Sequence, residues 1–226
     1  MNAGDTRGKA KGETSGETRE EVNDKAKRGR RPAYHHGALR DALIEAAEAI
    51  LAESGVERFS LREAARRAGV TAAASAHHFG SAAGLLTEVA IRGYGALTGT
   101  LRAARDGGAT PAARLRAMGV AYAAFALAYP GLFKLMYRKD LLLDTEALHL
   151  AAREALSELS NAVAAYRPDY SPAELNQAVL GAWSVVHGFA HLALDKRLTG
   201  RLAGVDAATA VETTLPSILA MLYPDR

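Results

Sequence analysis

The sequence predicts an all-α protein of about nine helices, with a short helix-turn-helix head at the N-terminal end and a larger helical body behind it. Three observations carry this. The composition is rich in Ala, Leu, Arg and Gly and poor in β-branched runs, which favours helix. Apolar residues recur at helical spacing from Leu39 onward, with no strand-like alternation and no internal repeat. Cap residues and Gly or Pro breaks then cut the chain into segments of helix length.

Beyond Met1, residues 1–33 contain no large apolar residue except Val22 and cannot build a core, so disorder in isolation is expected there. Leu39, Leu43, Ala46, Ala47, Ile50 and Leu51 lie on one helical face, with Gly55 as a stop. Ser60-Leu-Arg-Glu63 reads as a reciprocal capping box: the Ser60 hydroxyl accepts from the Glu63 N–H while the Glu63 carboxylate reaches back. The short helix it opens turns Leu61, Ala64, Ala65 and Ala68 inward. Gly69 ends it, where a left-handed turn needs no Cβ. Thr71 caps the next helix, which runs to about Phe79. Gly80 breaks that one, and Ser81 caps a longer helix through Leu85, Leu86, Val89, Ile91 and Tyr94. Two helices of eight or nine residues about a glycine turn form the helix-turn-helix pattern.

Downstream, Thr110-Pro111 supplies an N-cap and first helical position for a helix to about Ala128. Pro130-Gly131 breaks it ahead of the apolar segment Leu132–Tyr137. A further helix is expected over roughly 144–166. Ser171-Pro-Ala-Glu174 is a second capping box, with Pro at the first helical position, opening a long helix to about Leu198. Asp206 caps the last helix, which reaches Leu222 with a kink at Pro216.

At 226 residues, 49% of them hydrophobic, the chain can bury a sizeable core. The absence of cysteine excludes disulfides and thiolate metal sites and fits a cytoplasmic setting. The N-terminal stretch lacks the apolar run of a secretory signal, and no run of about 18 uninterrupted apolar residues suggests a membrane span. In residues 1–34 nine Lys/Arg face six Asp/Glu, an excess equal to the +3 of the whole chain. A basic arm on a neutral body points to a polyanionic partner. No nucleophile elbow, phosphate-binding glycine loop or paired-carboxylate arrangement occurs on a suitable element, so neither an enzyme nor a cofactor is expected.

The block Ser60–Phe79, SLREAARRAGVTAAASAHHF, followed by GSAAGLL, resembles the helix-turn-helix of TetR-type transcriptional regulators. The preceding Tyr34-His-His-Gly37-x-Leu39-Arg40 resembles the start of one branch of that family. The Trp-His-Gly signature of the same branch recurs here as Trp183, His187 and Gly188. Behind the basic arm of residues 1–34, the resemblance implies a DNA-binding head over 35–95 and a ligand-binding, dimerising body over 96–226. It implies a repressor released from a palindromic operator by a small-molecule effector. It also implies a homodimer whose last two helices pair with their copies, placing the two reading helices in major grooves roughly 34 Å apart.

The family's reading helix puts Thr71, Ala72, Ala73, Ser75, His77 and His78 at the groove, with Arg62 a candidate for the DNA backbone. Two phosphate anchors common in the family are replaced, a Tyr by Ala76 and a Lys by Ala82. Over residues 35–80 five Arg meet six acids, a poor balance for a surface meeting phosphates. Two readings stay open. In one the arm compensates: Arg28-Gly-Arg30-Arg31-Pro32 resembles AT-hook cores, whose arginines insert into a narrow A·T minor groove. In the other the protein is a small-molecule- or partner-binding dimer with a weakened head. Met118, Tyr122, Phe125, Phe133, Met136, Tyr137, Trp183 and His187 are the expected lining of an effector pocket, being large and mostly apolar with a few polar tips. His187 and His191 stand at the spacing of two metal ligands, but no third ligand is placed by the sequence and no metal is expected.

Overall fold

The computed structural model describes residues 36–198, 200–202 and 204–225, with side chains from Ala38 onward. The basic arm, including Arg28, Arg30 and Arg31, lies outside the described residues, as do Tyr34 and His35. From Leu39 on, the chain forms one packing unit. Among the described residues there is no strand, and nine helices account for the architecture: α1 (His36–Ser54), α2 (Leu61–Arg67), α3 (Ala72–Phe79), α4 (Ala82–Asp106), α5 (Pro111–Ala128), α6 (Pro130–Met136), α7 (Glu146–Tyr166), α8 (Pro172–Leu194) and α9 (Ala207–Leu222).

The starts follow side-chain chemistry. Thr71, Ser81, Thr110, Ser171 and Asp206 each accept a hydrogen bond from a backbone N–H three residues on, satisfying a donor that the helix leaves orphaned. At Ser171 both halves of the capping box form. At Ser60 only one does: its hydroxyl accepts from the Glu63 N–H, but the Glu63 carboxylate turns to Arg66 and Arg67 instead. Two guanidinium partners outweigh one backbone donor. The cap of α7 is Thr145, and the preceding Asp144 pairs with His149.

Two ends also differ from expectation. α8 stops at Leu194, four residues early. Lys196 adopts a left-handed φ of 55°, and the Arg197 N–H returns to the Leu192 carbonyl at 2.8 Å, closing a Schellman-type end without glycine. In α9 the strain of Pro216 is taken up before it: Ala210–Thr214 widens into a π-turn that accommodates a residue unable to donate.

Two apolar cores result. The head core joins Leu43, Ile44, Ala47, Ile50 and Leu51 of α1 to Ala64 and Ala65 of α2 and to Leu85, Leu86 and Val89 of α4. The body core begins one residue later in the same helix, with Ala90, Tyr94, Leu97 and Leu101, and gathers α5, α6, α7, α8 and α9. Helix α4 therefore runs through both. A second element also serves both: Leu135 of α6 is fully buried in the head core, while Phe133 and Met136 belong to the body.

Candidate functional site

The head presents α3 on a tight turn. Gly69 sits at φ 69°, a left-handed conformation in which a side chain would be strained. Beyond it Thr71, Ala72, Ala73, Ala76 and His77 are exposed along one side of α3, while Phe79 turns inward beneath the Arg40 guanidinium. Ser75 is a correction to the expected reading set. It is fully buried, with its hydroxyl lacking a partner among the described residues, so it faces the core and cannot meet a groove. His78 is half-buried, its ring lying against His77 and Phe79.

The charges around α3 are mostly committed. Arg66 and Arg67 both bond the Glu63 carboxylate, which the Arg66 and Arg67 guanidiniums hold down to about pKa 2. Arg67 also pairs with Glu53 at 2.8 Å, and Arg40 pairs with Glu88. Arg58 and Arg62 are exposed and have no ion pair among the described residues. Arg62 shares a shallow hollow with Ser60, Arg66 and Ala72, between the start of α2 and the start of α3.

The body encloses a cavity of about 300 Å³ among α4, α5, α6, α7, α8 and α9. Five expected residues line it: Met118, Tyr122, Met136, Tyr137 and Trp183. Three do not. Phe125 is buried against Tyr129, with ring centroids 5.1 Å apart. Phe133 is fully buried behind the rings of Tyr122 and Tyr137. His187 stands behind Tyr122, whose hydroxyl lies 2.8 Å from its Nδ1. These three support the wall rather than form it.

Polar atoms in the wall satisfy one another. The Tyr122 hydroxyl lies 2.7 Å from that of Tyr137, and it accepts from the Trp183 indole N–H at 3.4 Å. Donation from Tyr122 to the His187 Nδ1 closes the chain and requires a neutral imidazole. Burial, with His191 adding to it, pushes the His187 pKa below its ordinary value, consistent with that state. Burial likewise raises the Tyr122 phenol to about 12 and the Tyr137 phenol further. The Tyr94 hydroxyl donates to the Met136 carbonyl at 2.8 Å.

Sequence reasoning missed the contribution of α7 and the cavity's opening. Ala152, Arg153, Ala155, Leu156 and Leu159 line one side, and Lys139 of the short turn Lys139–Leu141 lines another. The spacing of Ala152, Ala155 and Leu159 on α7 was the available signal, since it marks one helical face. His187 and His191 stack with centroids 4.5 Å apart, and no group of three His, Asp or Glu that could hold a metal gathers among the described residues.

The segment bearing Met136, Tyr137 and Lys139 also touches the head. Leu135 enters the head core, Arg138 pairs with Glu57 at 2.7 Å, and the Leu143 N–H donates to the Thr87 hydroxyl at 2.8 Å. Gly131 permits close approach at the other end of α6: an added Cβ would lie 2.1 Å from the Leu51 carbonyl oxygen.

A helix-turn-helix head sharing one helix with an all-helical body that encloses a cavity defines a one-component regulator. Comparison with known proteins agrees. Residues 43–89 match the bacterial regulatory proteins of the tetR family, and residues 115–217 match the tetracyclin repressor-like C-terminal domain. The chain belongs to the TetR family of transcriptional regulators. A solved protein with unknown function from Rhodococcus sp. RHA1 is 32% identical, with a TM-score of 0.69 over 85% of this chain and 99% of that one. The fold is shared with the TetR family transcriptional regulator PfmR from Thermus thermophilus, at 19% identity and TM-score 0.59, over 83% of this chain and 96% of that one. It is also shared with the fatty acid degradation regulator FadR from Bacillus halodurans, at 16% identity and TM-score 0.54, over 83% and 97%. No curated protein matches the chain.

Proposed function

We propose that the protein is a dimeric repressor that holds an operator through α3 and releases it when a small molecule fills the body cavity. The observation that carries this reading is the exposed side of α3, where Thr71, Ala72, Ala73 and His77 project from a capped helix beyond a rigid glycine turn. Small side chains there fit readout by shape and thymine methyls, with His77 as the hydrogen-bonding member and Arg62 facing a phosphate. Residues 35–95 act as the reading head and 96–226 as the sensing and pairing body.

Release follows from shared elements. A ligand that displaces Met136 or Tyr137 moves the segment that carries Leu135 and Arg138, and with it the head. Pairing through α8 and α9 is supported by the apolar face that α8 leaves open. This helix is apolar enough to cross a membrane by length and composition, yet only 33% of that window is buried. Leu180, Gly181, Ser184, Gly188 and Leu192 lie exposed, and an added Cβ at Gly181 or Gly188 would meet nothing. A second copy covers such a face in a two-fold pair.

A second reading, a dimer that binds a ligand or partner but has a weakened head, is favoured by the carboxylates that hold Arg66 and Arg67 and by Ala76 and Ala82. Mixing purified protein with DNA flanking its own gene separates the two. The repressor reading predicts a retarded complex at moderate salt, which Ala76→Tyr with Ala82→Lys only strengthens. If the unmodified protein retards nothing and the double variant does, the weakened-head reading is right. Deleting residues 1–33 weakens retention and flattens its salt dependence if the arm compensates.

A further inference from the structure

We infer that the cavity takes an apolar molecule of about ten carbons bearing one anionic head group, seated tail inward with the anion against Lys139. This rests on reading the cavity as the effector site and adds the chemical class of the effector.

Three features of the lining lead there. The interior is apolar, made by Leu97, Leu101, Leu115, Met118, Leu159 and Leu219. The hydroxyls and the indole N–H among them are satisfied within the wall, Tyr137 and Trp183 by Tyr122, Tyr122 by His187, and Tyr94 by a backbone carbonyl. A ligand group reaching the depth therefore finds no polar atom in need of a partner, and a polar head placed there would be desolvated for no gain. At roughly 30 Å³ for a water-sized group, 300 Å³ seats about ten such groups.

The opening has the reverse character. The exposed members of the lining are Lys139, Arg153 and Leu156, and no carboxylate lines the cavity. Arg153 is partly neutralised by Glu146 at 2.5 Å. The acids nearest in sequence to Lys139 are occupied elsewhere: Asp140 is held by Arg138, Asp144 pairs with His149, and Glu146 with Arg153. Lys139 thus has no ion pair among the described residues, and it is the group at the opening with a charge to offer.

Trp183 is the single tryptophan of the chain and lines the cavity, so its fluorescence reports on the wall of this site. Decanoate, decanol and decylamine, each below its micelle-forming concentration at neutral pH, present one tail with three head groups. Decanoate is expected to shift Trp183 emission at a concentration about tenfold below that of decylamine, the worth of one charge-assisted contact. Lys139→Gln raises the decanoate midpoint by about tenfold and leaves that of decanol unchanged. Lys139→Glu, at an exposed position that carries no core packing, inverts the order and favours decylamine. A decanoate midpoint no lower than those of decanol and decylamine, or no decanoate response, overturns the inference, as does a Lys139→Gln variant that binds decanoate unchanged. The effector reading is judged separately, by whether any compound that shifts Trp183 emission also frees DNA in the retardation assay.

Discussion

Two inward-facing polar residues, one sealed and one half-buried, behave in opposite ways, and each makes a prediction. The Ser75 hydroxyl is sealed inside the head without a partner among the described residues. A buried unsatisfied hydroxyl costs about 1 kcal/mol or more, so Ser75→Ala should raise the stability of the protein by about 1 kcal/mol in urea unfolding while leaving DNA affinity untouched. Loss of DNA binding in this variant would return Ser75 to the reading surface. His187, by contrast, is held neutral by burial and by the Tyr122 hydroxyl. Its folded pKa lies below the ordinary 6.5, so the unfolded chain binds the proton more readily. The stability it contributes is therefore complete above about pH 6.5 and is lost as the pH falls below that, through the folded value. Urea midpoints measured between about pH 7 and pH 5 should fall more steeply for the native chain than for His187→Gln. Equal slopes would mean that His187 is not held neutral.

At the scale of elements, caps and breaks were legible because they are local chemistry. Thr71, Ser81, Thr110 and Ser171 open helices where their side chains can reach a backbone N–H, and Gly69 turns where a left-handed φ is needed. What was not legible depended on competition or on distant partners. The Glu63 carboxylate had two arginines within a turn and chose them over the Ser60 backbone. Helix α3 reads AAASAHHF, too uniform in size and polarity for its spacing to say which side turns inward, so Ser75 was placed on the wrong face. The cavity's aromatic side was visible as large residues on α5, α6 and α8. Its α7 side was not, because Arg153 and Leu156 look like any solvated helix face until α4 and the turn at Lys139 are brought opposite. The junction of α6 with α1 also needs the fold to be seen. There Gly131→Ala would force a Cβ into the Leu51 carbonyl, and overpacking of that kind costs about 2 kcal/mol. The variant should lose stability by that amount and should also lower DNA affinity, since α6 carries Leu135 into the head core. Unchanged stability would place this contact outside the fold's constraints.

At the scale of the whole molecule, the account requires two copies. The open face of α8 around Gly181, Ser184 and Gly188 is the pairing surface proposed above. Gly188→Glu puts a charge there without meeting anything inside the protomer, so light scattering should report a monomer with native helix content, and DNA retention should fall with it. A Gly188→Glu protein that remains a full dimer would move the pairing surface elsewhere. Footprinting on the DNA flanking the gene tests the central claim most directly, because it asks at once whether α3 reads DNA and whether it does so as one of a symmetric pair. The expected result is two protected half-sites related by a two-fold axis and about 34 Å apart, centre to centre, with protection lost in His77→Ala with Arg62→Ala. Absence of protection on every flanking segment at low salt, or a single half-site without a two-fold-related copy, would contradict it.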